Sequence, residues 1–404
     1  MADESFERVW RNERARIVGS LARRFGDLGL AEDALQEAFV SARERWPVEG
    51  EPQHPGAWLH TVAYRKAIGM LRRQQPTAGF DVTADLADIQ AVPTRSSVDD
   101  DLLGLLLACC HPALDSHARI ALTLRHVCGL TVEEIGAGFV VNDATMAKRL
   151  VRARAKIKNA RIPFVVPDEQ TVRDRISDIH TVIYVVFTEG HLALGEADPV
   201  RTDLCEDAIW LARQIVDLQP SIDESRGLLA LLLLQNARHA GRLDPLGRLV
   251  RLDEQDRESW DTDAIEEARR LLADPELVAL GPYRVEAAIA ALHTVDNGPD
   301  WARVADLYGV LARLAPSPIV EVNRSIAVGR ADGPHAGLAI IQPVLRSGRL
   351  DDYPHLHAAH AELLEQAGDT DGAIDAWQRG AQASRNEVQR SAMTARSQEL
   401  GSGA

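Results

Sequence analysis

The sequence predicts an all-α protein, and three observations carry that reading. Apolar residues recur at three- and four-residue spacing almost throughout, while the only β-rich runs, TVIYVVF at 181–187 and FVV at 164–166, are short and set in helical surroundings. Glycine and proline punctuate the N-terminal part at helix-length intervals. Near the C-terminus, HAELLEQAGDTDGAIDAWQRG spaces Leu364, Gly368, Ala373, Trp377 and Gly380 as a helical hairpin does, with small residues where two helices approach and an aromatic ring in the groove. The expected architecture is two small helical domains, the second a helix-turn-helix, followed by an α-solenoid.

With 404 residues, 46% of them hydrophobic, the chain can bury substantial cores. No apolar run approaches the roughly 18 residues that a membrane span needs, and the start MADESFERVWRNERARIV lacks a signal peptide's apolar core, so a cytoplasmic protein with no membrane partner is expected. Four cysteines, two of them adjacent, give no disulfide framework.

Residues 5–25 and 31–46 read as two amphipathic helices broken at Gly26 and Gly29, with Pro47 ending the second. A third, over 57–74, becomes basic toward its end. Residues 76–98 carry Pro76, Gly79 and Pro93 with Asp81, Asp85 and Asp88, the composition of an acidic linker. Helices resume at Val98 and run through LLGLLLACC and SHARIALTLRHVCGL.

The next stretch, 130–161, is the most informative. Thr131 and Glu134 have capping-box spacing for a short first helix, and Asn142 or Asp143 can cap a second. From Ala144 to Arg161 that second helix carries seven Lys and Arg and no Asp or Glu, with Met146, Leu150 and Ile157 as its apolar seam. Such a helix fits a DNA major groove. Net charge sharpens the point. The chain has a formal charge of −15, but residues 1–165 hold 22 Lys and Arg against 21 Asp and Glu, and residues 166–404 hold 23 against 39. The acidity belongs to the C-terminal part, leaving the N-terminal part free to approach a polyanion.

On these residues the N-terminal 165 positions resemble the extracytoplasmic-function branch of the sigma-70 family of bacterial transcription initiation factors. EDALQEAFVSARERWP, 32–47, resembles the segment that docks on the polymerase clamp. PGAWLHTVAYRKAIGMLRR, 55–73, is similar to the segment that recognises and opens the minus-ten element, and 117–157 is similar to the minus-thirty-five domain. The resemblance implies a region 2 domain over 1–75, the linker over 76–98, a region 4 domain over 99–165 and an extension over 166–404. It also implies core RNA polymerase (largest-subunit clamp and flap) and promoter DNA as partners.

The residue chemistry suits those roles. Asp33 and Glu37, four apart with Gln36 beside them, can present carboxylates to a basic clamp, although a solvated acidic face has the same pattern. Trp58 and Tyr64 with Arg65, Lys66, Arg72 and Arg73 interleave rings and cations, as stacking on unpaired bases requires, while core packing competes for Trp58. Thr145, Lys148, Arg149 and Arg152 lie on the half of the recognition helix that enters the groove.

Cys109, Cys110, His111 and Cys128 do not have zinc-knuckle spacing, so no metal is expected and the thiols read as small buried groups. No phosphate-binding glycine loop, HExxH or nucleophile elbow is present, which argues against an enzyme and against a cofactor. In the extension, the offsets around Trp377 resemble a tetratricopeptide repeat. Ala208 and Pro220 fit an earlier copy, and GLLALLLLQNAR starts the next hairpin, with Asp256, Arg257 and Glu286 expected in inter-repeat salt bridges. DEQDRESW (253–260), YVVFTEGHLALG (184–195) and GPYRVEAAIAALHTV resemble stretches of the family group with such an extension. Its acidity suggests intramolecular contact with the basic faces of the DNA-binding part and a regulatory role. The competing readings are a tetratricopeptide scaffold and a stand-alone helix-turn-helix regulator.

Overall fold

A computed structural model describes residues 2–74, 95–139, 141–191, 199–242, 244, 250–273, 280–295, 298–384 and 386–402, and every regular element among them is helical. Two compact units divide the chain, Met1–Val186 and Phe187–Ala404. Among the described residues no helix is long and apolar enough to cross a membrane.

The first unit opens with α1 (Ala2–Phe25) and α2 (Leu28–Glu49). Asp27 Oδ1 accepts from the amides of Gly29 at 3.0 Å and Leu30 at 3.1 Å, which starts α2 earlier than expected and places Gly29 inside its first turn. Pro47 does not end α2. It sits in the last turn, where the missing amide costs one bond, and the helix runs on until Gly50, whose N–H donates to Trp46 O at 3.0 Å. Pro55–Gln74 forms α3, and α2 packs along it while α1 packs on α2. The expected linker lies largely outside the described residues, and the chain is helical again from Arg95, not Val98, as α4 (Arg95–Cys109).

Helix α4 packs on α1, across the expected domain boundary. Gly19 is what permits it: a Cβ there would lie 2.3 Å from Asp101 O. Beside this contact Arg23 Nη2 meets Asp101 Oδ1 at 3.0 Å. Burial pushes the Asp101 carboxyl up to about 6, against the pull of Arg23. Cys109 and Cys110 end α4 as buried side chains, burial driving both thiols well up, the second to about 12. They occupy the core as small groups.

After α5 (Ser116–Thr123) comes a wide π turn, Leu124–Cys128, then α6 (Val132–Gly138), α7 (Asp143–Asn159) and α8 (Glu169–His191). The β-rich run 181–187 lies inside α8. Val182, Ile183, Val186 and Phe187 fall on one helical face and are buried there, so packing of that face overrides β-propensity. Arg119 Nη1 bonds Asp178 at 2.8 Å, and Arg175 Nη2 donates to Leu107 O, which fixes the start of α8 within the first unit, past the expected boundary at 165.

The second unit continues with α9 (Pro199–Leu218), α10 (Asp223–Asn236), α11 (Thr262–Leu272), α12 (Pro282–Leu292), α13 (Trp301–Leu314), α14 (Pro318–Asp332), α15 (Pro334–Ser347), α16 (Pro354–Ala367), α17 (Thr370–Ala383) and α18 (Glu387–Ser402). Each packs chiefly on its sequence neighbours, as in a solenoid, with successive clusters around Val304 and Leu311, around Ile341 and Leu356, and around Ala361 and Trp377. The last repeat is as expected: Ala373 and Trp377 are buried, and Trp377 Nε1 donates to Glu365 Oε1 at 2.5 Å. Upstream the repeat degenerates. GLLALLLLQNAR forms α10, but its expected partner is replaced by short 3₁₀ turns at His239–Gly241, Leu252–Glu254 and Arg257–Ser259, and α10 packs on α11 and α12 instead.

Among the described residues, Asp256, Arg257 and Glu286 do not form the expected salt bridges. Asp256 caps its own turn through the Glu258 amide at 3.0 Å, Arg257 donates to Val295 O and lies over the Trp260 ring, and Glu286 faces another acid. Burial and the nearby Glu224 push the Glu286 carboxyl up to about 7, so it is substantially protonated near neutrality.

Candidate functional site

The helix-turn-helix is built from local capping. Thr131 Oγ1 accepts from Glu134 N at 3.1 Å while Glu134 Oε2 accepts from Thr131 N at 2.6 Å, the reciprocal box that starts α6. Asn142 Oδ1 accepts from Thr145 N at 2.9 Å and starts α7 at Asp143. Met146, Leu150, Ala153 and Ile157 then seat α7 in the core. Lys148 and Arg152 are exposed and Arg149 is half-buried on the outward face; among the described residues none of the three makes an ion pair. Thr145 is half-buried in the first turn.

Two further cations of α7, Arg154 and Lys158, act on acids near the start of α2. Lys158 Nζ bonds Asp27 Oδ2 at 3.0 Å, and Arg154 acts on Asp33. Burial alone would raise the Asp27 carboxyl, but Lys158 and the amides of Leu30 and Gly29 hold it below the ordinary carboxylate range. For Asp33 the balance is opposite, partial burial and the neighbouring Glu32 raising it despite Arg154. An open groove of about 400 Å³ runs here, lined by Asp27, Asp33, Met70, Arg154, Lys158 and Phe164.

On α2, Asp33 and Gln36 are exposed. Glu37 is half-buried and meets Lys66 Nζ of α3 at 3.3 Å, which joins a residue expected at the polymerase surface to one expected on DNA. Arg65 and Arg72, seven apart, share an exposed face of α3, with Arg73 also exposed. Trp58 is half-buried against Trp46, ring centroids 5.6 Å apart. Tyr64 departs from expectation: it is 6% exposed, 5.4 Å from the Phe25 ring, and serves the α1–α3 core, so its ring is not available to a base in this arrangement.

Sequence reasoning missed the centre of the unit. Glu32, 2% exposed, meets Arg14 Nη2 at 3.1 Å, Arg125 Nη2 at 2.7 Å and His126 Nδ1 at 2.7 Å, and Arg14 also donates to Arg125 O at 2.8 Å. One carboxylate of α2 thereby ties α1 to the π turn that precedes the helix-turn-helix. Burial would raise Glu32, yet His126, Arg14 and Arg125 hold it down to about 2; burial holds the fully enclosed His126 imidazole below its ordinary value against the pull of Glu32. The π turn, which brings Arg125 and His126 to that carboxylate, is a wide helical geometry often found at functional sites. One signal was available. Leu28, Ala31, Leu35, Ala38 and Ala42 form the buried stripe of α2, and Glu32 is the acid on it.

The family described as Sigma-70 region 2 matches residues 9–77, Sigma-70, region 4 matches 104–157, and a Family of unknown function (DUF6596) matches 175–275. An uncharacterized protein of Rhizobium meliloti is 40% identical over 367 residues, 88% of this chain and 86% of that protein. Probable ECF RNA polymerase sigma factor SigI of Mycobacterium tuberculosis is 31% identical over 163 residues, 38% of this chain and 54% of that protein. ECF RNA polymerase sigma factor SigK of Mycobacterium ulcerans is 24% identical over 160 residues, 39% of this chain and 85% of that protein.

Proposed function

Because the chain belongs to the extracytoplasmic-function branch of the sigma-70 family, with a C-terminal extension, and directs transcription initiation by binding core RNA polymerase and promoter DNA, we propose how its residues divide that work. Lys148, Arg149 and Arg152, with Thr145, read or hold the minus-thirty-five element. The observation that carries this is the outward face of α7 with Lys148, Arg149 and Arg152, which makes no ion pair among the described residues. Arg65, Arg72 and Arg73, with Lys66 and Trp58, hold the minus-ten strand through its phosphates and by stacking. Asp33, Gln36 and Glu37 bind the polymerase clamp, whose cations compete with Arg154 and Lys66 for the two carboxylates. The domains follow as region 2 over 1–75, region 4 over 99–165 and a regulatory extension beyond, in a protein that works in the cytoplasm without catalysis of its own.

Charge reversal tests the clamp assignment. Asp33→Lys with Glu37→Lys should reduce copurification with core polymerase by more than about tenfold, with unchanged circular dichroism, since like charges juxtaposed across an interface cost several kcal/mol. Normal pull-down by a folded double variant would refute it.

The extension, which carries the chain's acidity, is proposed to contact the basic sigma segments within the same molecule, where tethering gives roughly millimolar effective concentration. A chain ending after His191 preserves the bonds of Arg175 and Asp178 that belong to the first unit. Run-off transcription with core polymerase should then differ from the full chain by several-fold; equal activity at matched protein levels and across salt concentrations would make the extension a passive appendage.

A further inference from the structure

The acidic second unit gathers two arginines, Arg238 and Arg242, with the rings of His191, His239 and Trp260 at the 3₁₀ turn His239–Gly241. Arg242 Nη1 donates to His191 O and so caps the end of α8. Cys205 Sγ donates to Phe187 O at 3.7 Å, which fixes α9 against the same end. Around this anchored corner several polar atoms are shut off from solvent without a hydrogen-bond partner among the described residues: Arg238 Nε, His191 Nδ1, His239 Nδ1 and Trp260 Nε1. They are close together. A Cβ on Gly241 would lie 3.2 Å from Trp260 Nε1 and 3.1 Å from Ser259 Oγ, and the Asp261 amide donates to Ala237 O at 2.9 Å, which holds the 256–261 segment over the end of α10.

Electrostatics point the same way. Burial pushes the Arg238 guanidinium down to about 10, with Arg242 adding to the shift. Burial holds the His191 imidazole down to about 3, with Arg242, Arg238 and His239 all pressing in that direction. His191 is therefore a neutral imidazole near neutrality, while Arg238 keeps its charge, and no carboxylate among the described residues acts on it. Buried donors normally have partners, and two guanidinium groups close together in a buried setting are stabilised by a negative group near them.

We infer that Arg238, Arg242, His239, His191 and Trp260 form a binding site for a small oxyanion, a phosphoryl or carboxylate group, in the extension. Guanidinium groups bind either oxyanion with paired N–H donors, and the indole N–H of Trp260 adds a neutral donor. The site is independent of the sigma-type surfaces and goes beyond the roles proposed for them.

Calorimetric titration of the full chain in chloride buffer, with inorganic phosphate and in parallel with succinate at constant ionic strength, tests it. Saturable binding of at least one anion, one per chain, is expected, and phosphate against succinate identifies which oxyanion the site prefers. Arg238→Gln should weaken that binding by at least about tenfold, and His239→Gln by a few-fold. Without any anion, Arg238→Gln should leave hydrogen-exchange protection of α9 and α10 equal or higher, because it removes a buried charge that no carboxylate among the described residues matches. Absence of saturable binding up to about 20 mM of either anion overturns the inference. So does undiminished affinity in Arg238→Gln, or a loosened α10 in that variant before any anion is added, which would mean that the fold itself already satisfies Arg238.

Discussion

Replacing Glu32 by alanine is expected to unfold or open the first unit, with a loss of about 3–5 kcal/mol, the usual consequence of removing one partner from a buried ion pair. Among the described residues it is the one acid that meets Arg14, Arg125 and His126 together, and Arg14 is 2% exposed, so its charge would be left in the core against the Arg125 carbonyl and the Trp10 ring. Hydrogen exchange is the suited measurement, with α1, α2 and the π turn losing protection while α16–α18 serve as an internal reference. Protection unchanged across α1 and α2 would show that the cluster is dispensable.

The same cluster sets a direction for acid sensitivity. Glu32 has a folded value of about 2, below its unfolded value, so its contribution is fully present above the ordinary carboxylate range and is lost as pH falls toward 2. It amounts to roughly 3 kcal/mol. His126 is also depressed, so the neutral imidazole favours folding above its ordinary value and that share is lost as pH drops below about 6.5. Both groups therefore predict weakening on acidification in two stages. Glu32→Gln should remove the lower stage and leave the upper.

The double variant Arg149→Ala, Arg152→Ala is expected to lose promoter affinity by on the order of 2–6 kcal/mol if both side chains read base edges, at least about thirtyfold. If they hold only phosphates, the loss is smaller, uniform across sequences, and accompanied by a salt slope shallower by about two. The α7 face that carries them makes no ion pair among the described residues, so the substitutions leave no buried partner behind, and circular dichroism should be unchanged. Binding is best measured with polymerase holoenzyme on the cognate promoter at several salt concentrations. Unchanged affinity and slope would remove these arginines from the interface. Tight operator binding by the chain without polymerase would instead favour a stand-alone regulator.

What the sequence determined by itself was local. The capping box at Thr131 and Glu134, the Asn142 cap, the apolar seam of α7 and its acid-free charge stripe all depend on residues within one or two turns of each other. Backbone amides at a helix start must be satisfied nearby, so the sequence around them is constrained and readable. The final repeat around Trp377 was readable for the same reason. Tertiary structure decided everything that depends on which charges leave water. Glu32 is separated from Arg14 by 18 residues and from Arg125 and His126 by about 90, and its spacing to Asp33 and Glu37 looks like part of an exposed acidic face. Only packing reveals that Glu32 is buried, that Tyr64 is a core residue, that Pro47 is tolerated within α2, and that α8 belongs at its start to the first unit. Desolvation is a property of the folded neighbourhood, and no short-range pattern encodes it.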